Sequence, residues 1–502
     1  MKAFITKHFD KIVLIKLIAI GFILRIWISS SKLSNVDENT ALSFLIGRDI
    51  SRGRLLAYRY EHFFGGTLEY LVATPIIALI KSVTLSQMLI SLVFLIGTSC
   101  IYYFGFQRTQ YRKTMRYVLA CLWIWPGFFL ISNTKFSGIF AVIMLLQVAI
   151  LASAYYAAHS LINRKYFLIF AFLCGLSVWV FPISIFTCIT SYIWIIKSSP
   201  GLKPQRLRAF AIFALGSSFL IALTISEKGA NLLRFYDKSI HTDIDKPNAL
   251  INLSDIFSMT VSNEHKLVFY QTPLMLSIIF SLCTIALIAF LIKGAIGAAK
   301  TKISDFAFLM LIISACQIVL LIILYVFSIN VPSIFLITLV APVVFLIFNS
   351  STNKIVISSI IFCMFVSSCI YLYSTSKNFN NYVSDNKGRA TFLIEQVAAQ
   401  RILSNHQLAY PLTLSNDEKV LVSPFDANYF DSKIRSQTST RTDAVLIDTN
   451  IKNERNTMLC IQSYFQQGFV SKSSSNLKIY LVPKKFKSKV SSIAEECSKV
   501  TT

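Results

Sequence analysis

A polytopic α-helical membrane protein with a small α/β C-terminal domain is predicted by three observations. The chain of 502 residues is 55% hydrophobic and only 14% charged, with a mean hydropathy of +0.62. Soluble domains lie nearer about 45–50% apolar and about 25% charged. Apolar runs recur along residues 12–373, and about 20 helical residues cross about 30 Å of hydrocarbon. Residues 374–502 change character, with short strand-like runs Lys419-Val420-Leu421-Val422, Ala444-Val445-Leu446-Ile447 and Leu477-Lys478-Ile479-Tyr480-Leu481-Val482, and a helical pattern around 456–470. The net charge of +24 would suggest nucleic acid in a soluble chain. Here Lys and Arg collect in loops, as cytoplasmic loops of membrane proteins do, so the expected partner is the bilayer and no nucleic acid is expected.

In chain order, residues 12–29 form the first span, flanked by lysines that place the N-terminus in the cytoplasm. No small-residue cleavage site follows, so this helix is expected to be retained. Arg25 lies within it, to snorkel to the surface or meet a buried anion. Residues 30–67 read as a polar, aromatic outer loop. Segment 68–80 is apolar but contains Pro75 and has 13 residues, which reach about 20 Å, so it is read as an interfacial helix. With that choice 85–106 descends, and the basic run Arg108, Arg112, Lys113, Arg116 is cytoplasmic.

The remaining spans are roughly 117–132, 138–158, 166–181, 183–196, 209–226, 270–292, 306–328, 333–348 and 355–373, about eleven in total. The chain thus divides into a transmembrane domain, 1–373, with outer loops 30–84 and 227–268, and an extracytoplasmic α/β domain, 374–502. Eight of the ten cysteines fall in spans; Cys460 and Cys497 fall in the tail, where a disulfide is plausible.

Chemistry concentrates after the first span. Asp37-Glu38 is a carboxylate pair just past its outer end, followed by Tyr60-Glu61-His62-Phe63-Phe64-Gly65-Gly66. Candidate cations near that face are Arg52, Arg54, Arg59, Lys135 and Arg234; each alone is also an ordinary interfacial anchor. Glu69, His62 and Tyr60 are candidates for contacting acceptor or sugar. Asp243-Ile244-Asp245 has the Asp-X-Asp form of a metal site, a pattern common by chance, and no metal ligand or cofactor is assigned, with a divalent-ion requirement left open.

Leu24-Arg25-Ile26-Trp27, Asp37-Glu38, Gly53, Gly65-Gly66-Thr67-Leu68-Glu69-Tyr70 and Pro75, in that order, resemble the N-terminal part of the GT-C glycosyltransferases. Thr134-Lys135-Phe136-Ser137-Gly138 and Gly175-Leu176-Ser177-Val178-Trp179-Val180-Phe181-Pro182 also resemble the bacterial branch related to protein O-mannosyltransferases and lipid A aminoarabinose transferases. The resemblance covers about residues 10–200. It implies GT-C architecture and inverting sugar transfer from a polyprenyl phosphate donor at the periplasmic face of a bacterial inner membrane. The family's catalytic base falls on Asp37, with Glu38 assisting; Lys135, Arg54, Arg59 and Arg234 would meet the donor phosphate. A carboxylate that accepts the acceptor's proton is worth about 10²–10⁴-fold, and cations stabilise the departing phosphate.

The family's basic residue before the proline of a late outer loop is missing from Ile329-Asn330-Val331-Pro332. Length and tail also resemble phage-type O-antigen glucosyltransferases, which makes glucose the first choice of sugar and a cell-envelope glycan the first choice of acceptor. The rival acceptors are protein Ser/Thr and lipid A. The non-enzyme rival is a transporter of lipid-linked sugars, which should carry polar or broken segments in two related halves; no second half resembles the first.

Overall fold

The computed structural model describes residues 9–54, 66–80, 82–125, 127–136, 140–160, 163–226, 274–326, 334–349, 353–378, 382–417, 419–424, 441–465 and 469–501. In chain order the helices, long and short, are α1 (Phe9–Ser30), α2 (Glu38–Ser51), α3 (Leu68–Leu79), α4 (Val83–Gly105), α5 (Arg112–Leu122), α6 (Gly127–Ser132), α7 (Phe140–His159) and α8 (Asn163–Val180). They continue as α9 (Ile185–Ser198), α10 (Arg206–Gly216), α11 (Ser218–Ser226), α12 (Leu274–Ala299), α13 (Phe306–Val326), α14 (Ile334–Asn349) and α15 (Lys354–Asn378). The tail carries α16 (Tyr382–Val397), β1 (Arg401–Ser404), α17 (His406–Ser415), β2 (Leu421–Pro424), β3 (Ala444–Asp448), α18 (Lys452–Tyr464), β4 (Ser471–Ser474), β5 (Leu477–Leu481) and α19 (Val490–Thr501). Two compact units result. One comprises Met1–Ser34, Phe64–Glu69 and Gln87–Phe379; the other comprises Asn35–Phe63, Tyr70–Ser86 and Asn380–Thr502.

The first unit is a helical bundle. Among the described residues six helices are long and apolar enough to cross a membrane: Phe9–Ser30, Val83–Gly105, Phe140–His159, Asn163–Val180, Ile278–Ala299 and Lys354–Lys377. Leu68–Leu79 is among four shorter apolar helices. The chain is a multi-pass membrane protein. Two expected spans are interrupted. The stretch 117–132 breaks between α5 and α6, because Pro126 brings no N–H to continue the ladder. The N–H groups of Trp123, Ile124 and Trp125 turn back instead onto Ala120 O and Cys121 O. The stretch 209–226 breaks at Ser217, whose hydroxyl donates to Phe213 O at 3.0 Å, a local competition that bends helices.

Three segments of this bundle run in the same direction: α1, the α5–α6 stretch and α15. At one end Asp10 of α1 pairs with Arg116 of α5, and the Lys354 ammonium of α15 lies 5.7 Å from the Phe9 ring. At the other end Ile28 and Leu33, Leu130 of α6 and Leu372 of α15 form one buried apolar cluster. Ser30, Asn133 and Asn378 therefore mark a common end, here called the Asn133 end.

The second unit contains a five-stranded sheet in the order β2-β1-β3-β5-β4. β1 pairs in parallel with β2 and β3, while β5 pairs antiparallel with β3 and β4. Leu446 and Ile479 face a core with α16 and α17; Val445 and Ile447 face the opposite core with α18 and α19. β1 and β4 lie outside the three strand-like runs of the sequence. β1 has four residues, and β4 is the polar edge sequence Ser-Lys-Ser-Ser, which shows no apolar alternation. Its hairpin to β5 is closed at Ser475, which takes φ 54°, the left-handed turn conformation that two-residue hairpins need.

Cys460 and Cys497 form a disulfide, joining α18 to α19. The 37-residue separation corresponds to about 4 kcal/mol in the chain-entropy account. Thermal unfolding of the detergent-solubilised chain should show the tail transition drop on reduction, and Cys460→Ser with Cys497→Ser should remove the effect of reductant.

Glu454 lies in the first turn of α18 and is 7% exposed. Its Oε1 accepts from Asn405 Nδ2 and its Oε2 from Asp448 N, each at 2.7 Å. Burial, with the neighbouring Asp448 charge adding to it, pushes its carboxyl up from 4.5 to about 7. A folded-state value above the unfolded one means that the native state binds the extra proton between these limits. Stability therefore falls as pH rises from about 4.5 to about 7, by at most about 3 kcal/mol at 1.36 kcal/mol per unit. Urea midpoints measured across that window should show this slope in the wild type and a flatter one in Glu454→Gln.

Candidate active site

In the second unit, Asp37 precedes α2 as its N-cap, with extended backbone at φ −90° and ψ −179°. Its Oδ1 accepts the Thr40 N–H at 2.9 Å, which satisfies one orphan donor of the helix start. The carboxylate is partly exposed, and the chain turns into helix immediately after it. The expected loop at this point is thus a 14-residue helix. Its middle is apolar enough to be buried all round: Thr40 to Ile46 are at most 3% exposed. α2 packs on α17, and Arg48 Nη2 reaches Asp417 Oδ1 at 3.3 Å. Glu38 is the first helical residue. Arg54 is exposed, and its guanidinium and that of Arg52 each lie 4.0 Å from the buried Asp49. Arg59, Tyr60, His62 and Arg234 lie outside the described residues, as do loop 227–268 and Ile329-Asn330-Val331-Pro332.

In the first unit, Glu69 is 1% exposed, and its Oε2 accepts the Val142 N–H at 3.2 Å. Val142 is the third residue of α7, so the carboxylate sits on the positive end of a helix other than its own. Gly66 donates its N–H to Trp179 O at 3.2 Å. A Cβ on Gly66 would come within 2.7–2.9 Å of the Trp179 ring, so only glycine permits this approach. Lys135 lies in the turn between α6 and α7, half-buried, its N–H on Ile131 O at 3.1 Å. Of the two, Glu69 bonds the start of α7.

Among the described residues Arg25 meets no carboxylate, and it does not snorkel. It is 2% exposed; Nη1 donates to Gly21 O at 3.0 Å and to Trp123 O at 2.7 Å. Its guanidinium carbon lies 5.1 Å from the centroid of the Trp123 ring. α5 ends at Leu122, so Trp123 O, the carbonyl of the residue that caps it, lies beyond the helical ladder, and in hydrocarbon such a group must be satisfied by protein. The cation of α1 does this and pins α1 to the break.

Four further polar residues lie buried at the Asn133 end. Gln87, Asn133, Ser374 and Thr375 are all at most 4% exposed. Each lies within or beside an apolar run, and an isolated polar residue inside a span was the available signal. Among the described residues no group of three His, Cys, Asp or Glu side chains is placed to hold a metal ion.

Neither a family model nor a curated protein sequence matches the chain. Solved structures do. ArnT from Cupriavidus metallidurans, bound to undecaprenyl phosphate, aligns at 8% identity and a TM-score of 0.58 over 93% of this chain and 97% of that one. The archaeal oligosaccharyltransferase AglB from Archaeoglobus fulgidus, in complex with an inhibitory peptide and a dolichol-phosphate, aligns at 12% identity and a TM-score of 0.53, over 98% of this chain and 78% of that one. These likenesses give the chain the GT-C fold.

Proposed function

We propose that the protein is an inverting glycosyltransferase. It moves a sugar, glucose as first choice, from undecaprenyl phosphate–sugar to a cell-envelope glycan such as O-antigen, at the periplasmic face of the bacterial inner membrane. The observation that carries this reading is the GT-C fold, shared over nearly the whole chain with proteins solved bound to polyprenyl phosphates. Asp37 supports it by position: a partly exposed carboxylate oriented by its cap, seven residues past the end of α1.

In this mechanism the acceptor hydroxyl attacks the anomeric carbon from the face opposite the phosphate. The new C–O bond forms as the C–O bond to the lipid phosphate breaks. The hydroxyl proton passes to Asp37, with Glu38 assisting, and polyprenyl phosphate departs with the bonding pair. Charge gained by that phosphate is met by Lys135 first, then by Arg54, Arg59 and Arg234. Glu69 shapes the site by fixing the start of α7, while His62 and Tyr60 face acceptor or sugar.

The test is transfer of radiolabel from undecaprenyl phosphate–glucose to a lipopolysaccharide acceptor in proteoliposomes holding the wild-type chain. Label on the glycan supports the reading. Consumption of no polyprenyl donor, across a panel of sugars and acceptors that includes peptide and lipid A, would sink the enzyme class.

A further inference from the structure

Four buried polar side chains at the Asn133 end have hydrogen-bonding capacity that the fold does not use. No partner is placed, among the described residues, for Asn133 Oδ1 or Nδ2, Gln87 Oε1, Ser374 Oγ or Thr375 Oγ1. They share one level of the bundle. Leu33, Leu130 and Leu372 pack in one apolar cluster. Asn133 lies three residues beyond Leu130, and Ser374 and Thr375 lie two and three beyond Leu372. Gln87 is fixed to the same level, because its Nε2 donates to Ser34 O, next to Leu33, at 2.9 Å.

Buried polar atoms without partners are costly, about 1–3 kcal/mol each, and protein interiors contain few of them. Such atoms occur elsewhere too, on Ser184, Ser191 and Gln317, and near this end on Ser29 and Arg25; the neutral ones that share this level fit a ligand that supplies the missing bonds. The set consists of one amide with both its donor and acceptor, a second amide oxygen and two hydroxyls. It carries no charge, so it suits neither a phosphate nor a cation. It suits a neutral polyol, whose hydroxyls each donate and accept. Lys135 follows Asn133 by two residues and offers the cation that a phosphate beside such a polyol requires.

We infer that Gln87, Asn133, Ser374 and Thr375 form the pocket for the sugar ring of the lipid-linked donor. This deepens the reading of the protein as a glycosyltransferase and rests on it. The pocket reads hydroxyls, and a site built to bond a hydroxyl rejects a ligand lacking it far more strongly than an apolar pocket does.

Binding separates this inference from the activity itself. Full-length protein in detergent is titrated with bare undecaprenyl phosphate and with undecaprenyl phosphate carrying glucose, galactose, mannose or N-acetylglucosamine. The wild type should bind one sugar-bearing lipid at least about 10-fold more tightly than the bare lipid, equivalent to about 1.4 kcal/mol. Thr375→Val and Asn133→Leu, which keep size and remove the hydrogen bonds, should erase that preference and leave affinity for the bare lipid within about 2-fold. Ser374→Ala, the smallest change, should reduce it partially and guards against misfolding of the other two. Equal affinity of the wild type for bare and sugar-bearing lipids overturns the inference, as does a preference that survives in all three variants, which would leave these atoms to buried water only. A wild type that shows the preference yet transfers no sugar keeps the pocket and sinks the transferase reading instead.

Discussion

Replacing Asp37 by Asn is expected to lower turnover about 10²–10⁴-fold, the range for losing a general base, without unfolding the protein. The substitution is unusually clean because the residue has a structural duty that the amide can perform. Asp37 Oδ1 caps α2 through the Thr40 N–H, and Asn and Asp are about equal as N-caps. The amide would hold the same helix start but cannot take the acceptor's proton. Asp37→Ala should lose the cap as well, at about 1 kcal/mol, so its melting temperature should fall while that of Asp37→Asn stays near wild type. Single-turnover transfer from labelled undecaprenyl phosphate–glucose, read beside thermal unfolding, tests both halves. Wild-type turnover in Asp37→Asn removes the base from this position.

The largest loss of stability is expected from Gly175→Val. Gly175 of α8 faces the end of α10 so closely that a Cβ would stand 2.2 Å from Phe213 O and 2.9 Å from Gly216 Cα. The reverse approach is as tight: a Cβ on Gly216 would stand 2.5 Å from Phe172 O. Small residues let helix backbones meet in this way inside a bilayer. The obstacles here are main-chain atoms that no rotamer change can move. Overpacking of about 1–3 kcal/mol is usual where side chains can adjust, and the upper end or more is expected where they cannot. Size-exclusion profiles and unfolding midpoints in detergent should show most of the folded protein lost. Gly297→Ala is the control: nothing lies within 4 Å of its Cβ, and alanine should stabilise α12 by about 0.5–1 kcal/mol.

The membrane architecture was legible because hydrophobic length leaves few alternatives. Runs of apolar residues gave the long helices, and Pro182 marked the division between α8 and α9 correctly. The break between α5 and α6 is hidden because hydropathy averages across Pro126. α2 reads as loop in the sequence because its flanks carry Asp37, Glu38, Arg48 and Asp49 and it contains Gly47. The capping residue before Leu42-Ser43-Phe44-Leu45-Ile46 was the better signal, and burial by the second unit outweighed the charged flanks. For the same reason periodicity cannot announce β1 and β4: one is too short, and the other sits at a sheet edge where side chains are solvated. The neutral set of Gln87, Asn133, Ser374 and Thr375 is scattered across most of the transmembrane domain's length, so only three-dimensional packing assembles it. Arg25 illustrates the opposite limit. Its type and depth suggest snorkelling or a buried anion, but its partners are the main-chain carbonyls of Gly21 and Trp123, which no charge pattern reveals.

The second unit joins Asn35–Phe63 and Tyr70–Ser86 to Asn380–Thr502, and this interleaving orders events at the ribosome. The segment bearing Asp37 is made long before α17, against which α2 lies. For most of translation the apolar middle of α2 must wait without its cover. A nonsense codon between α15 and α17 would leave every membrane helix encoded and still yield a polypeptide marked for quality-control proteolysis.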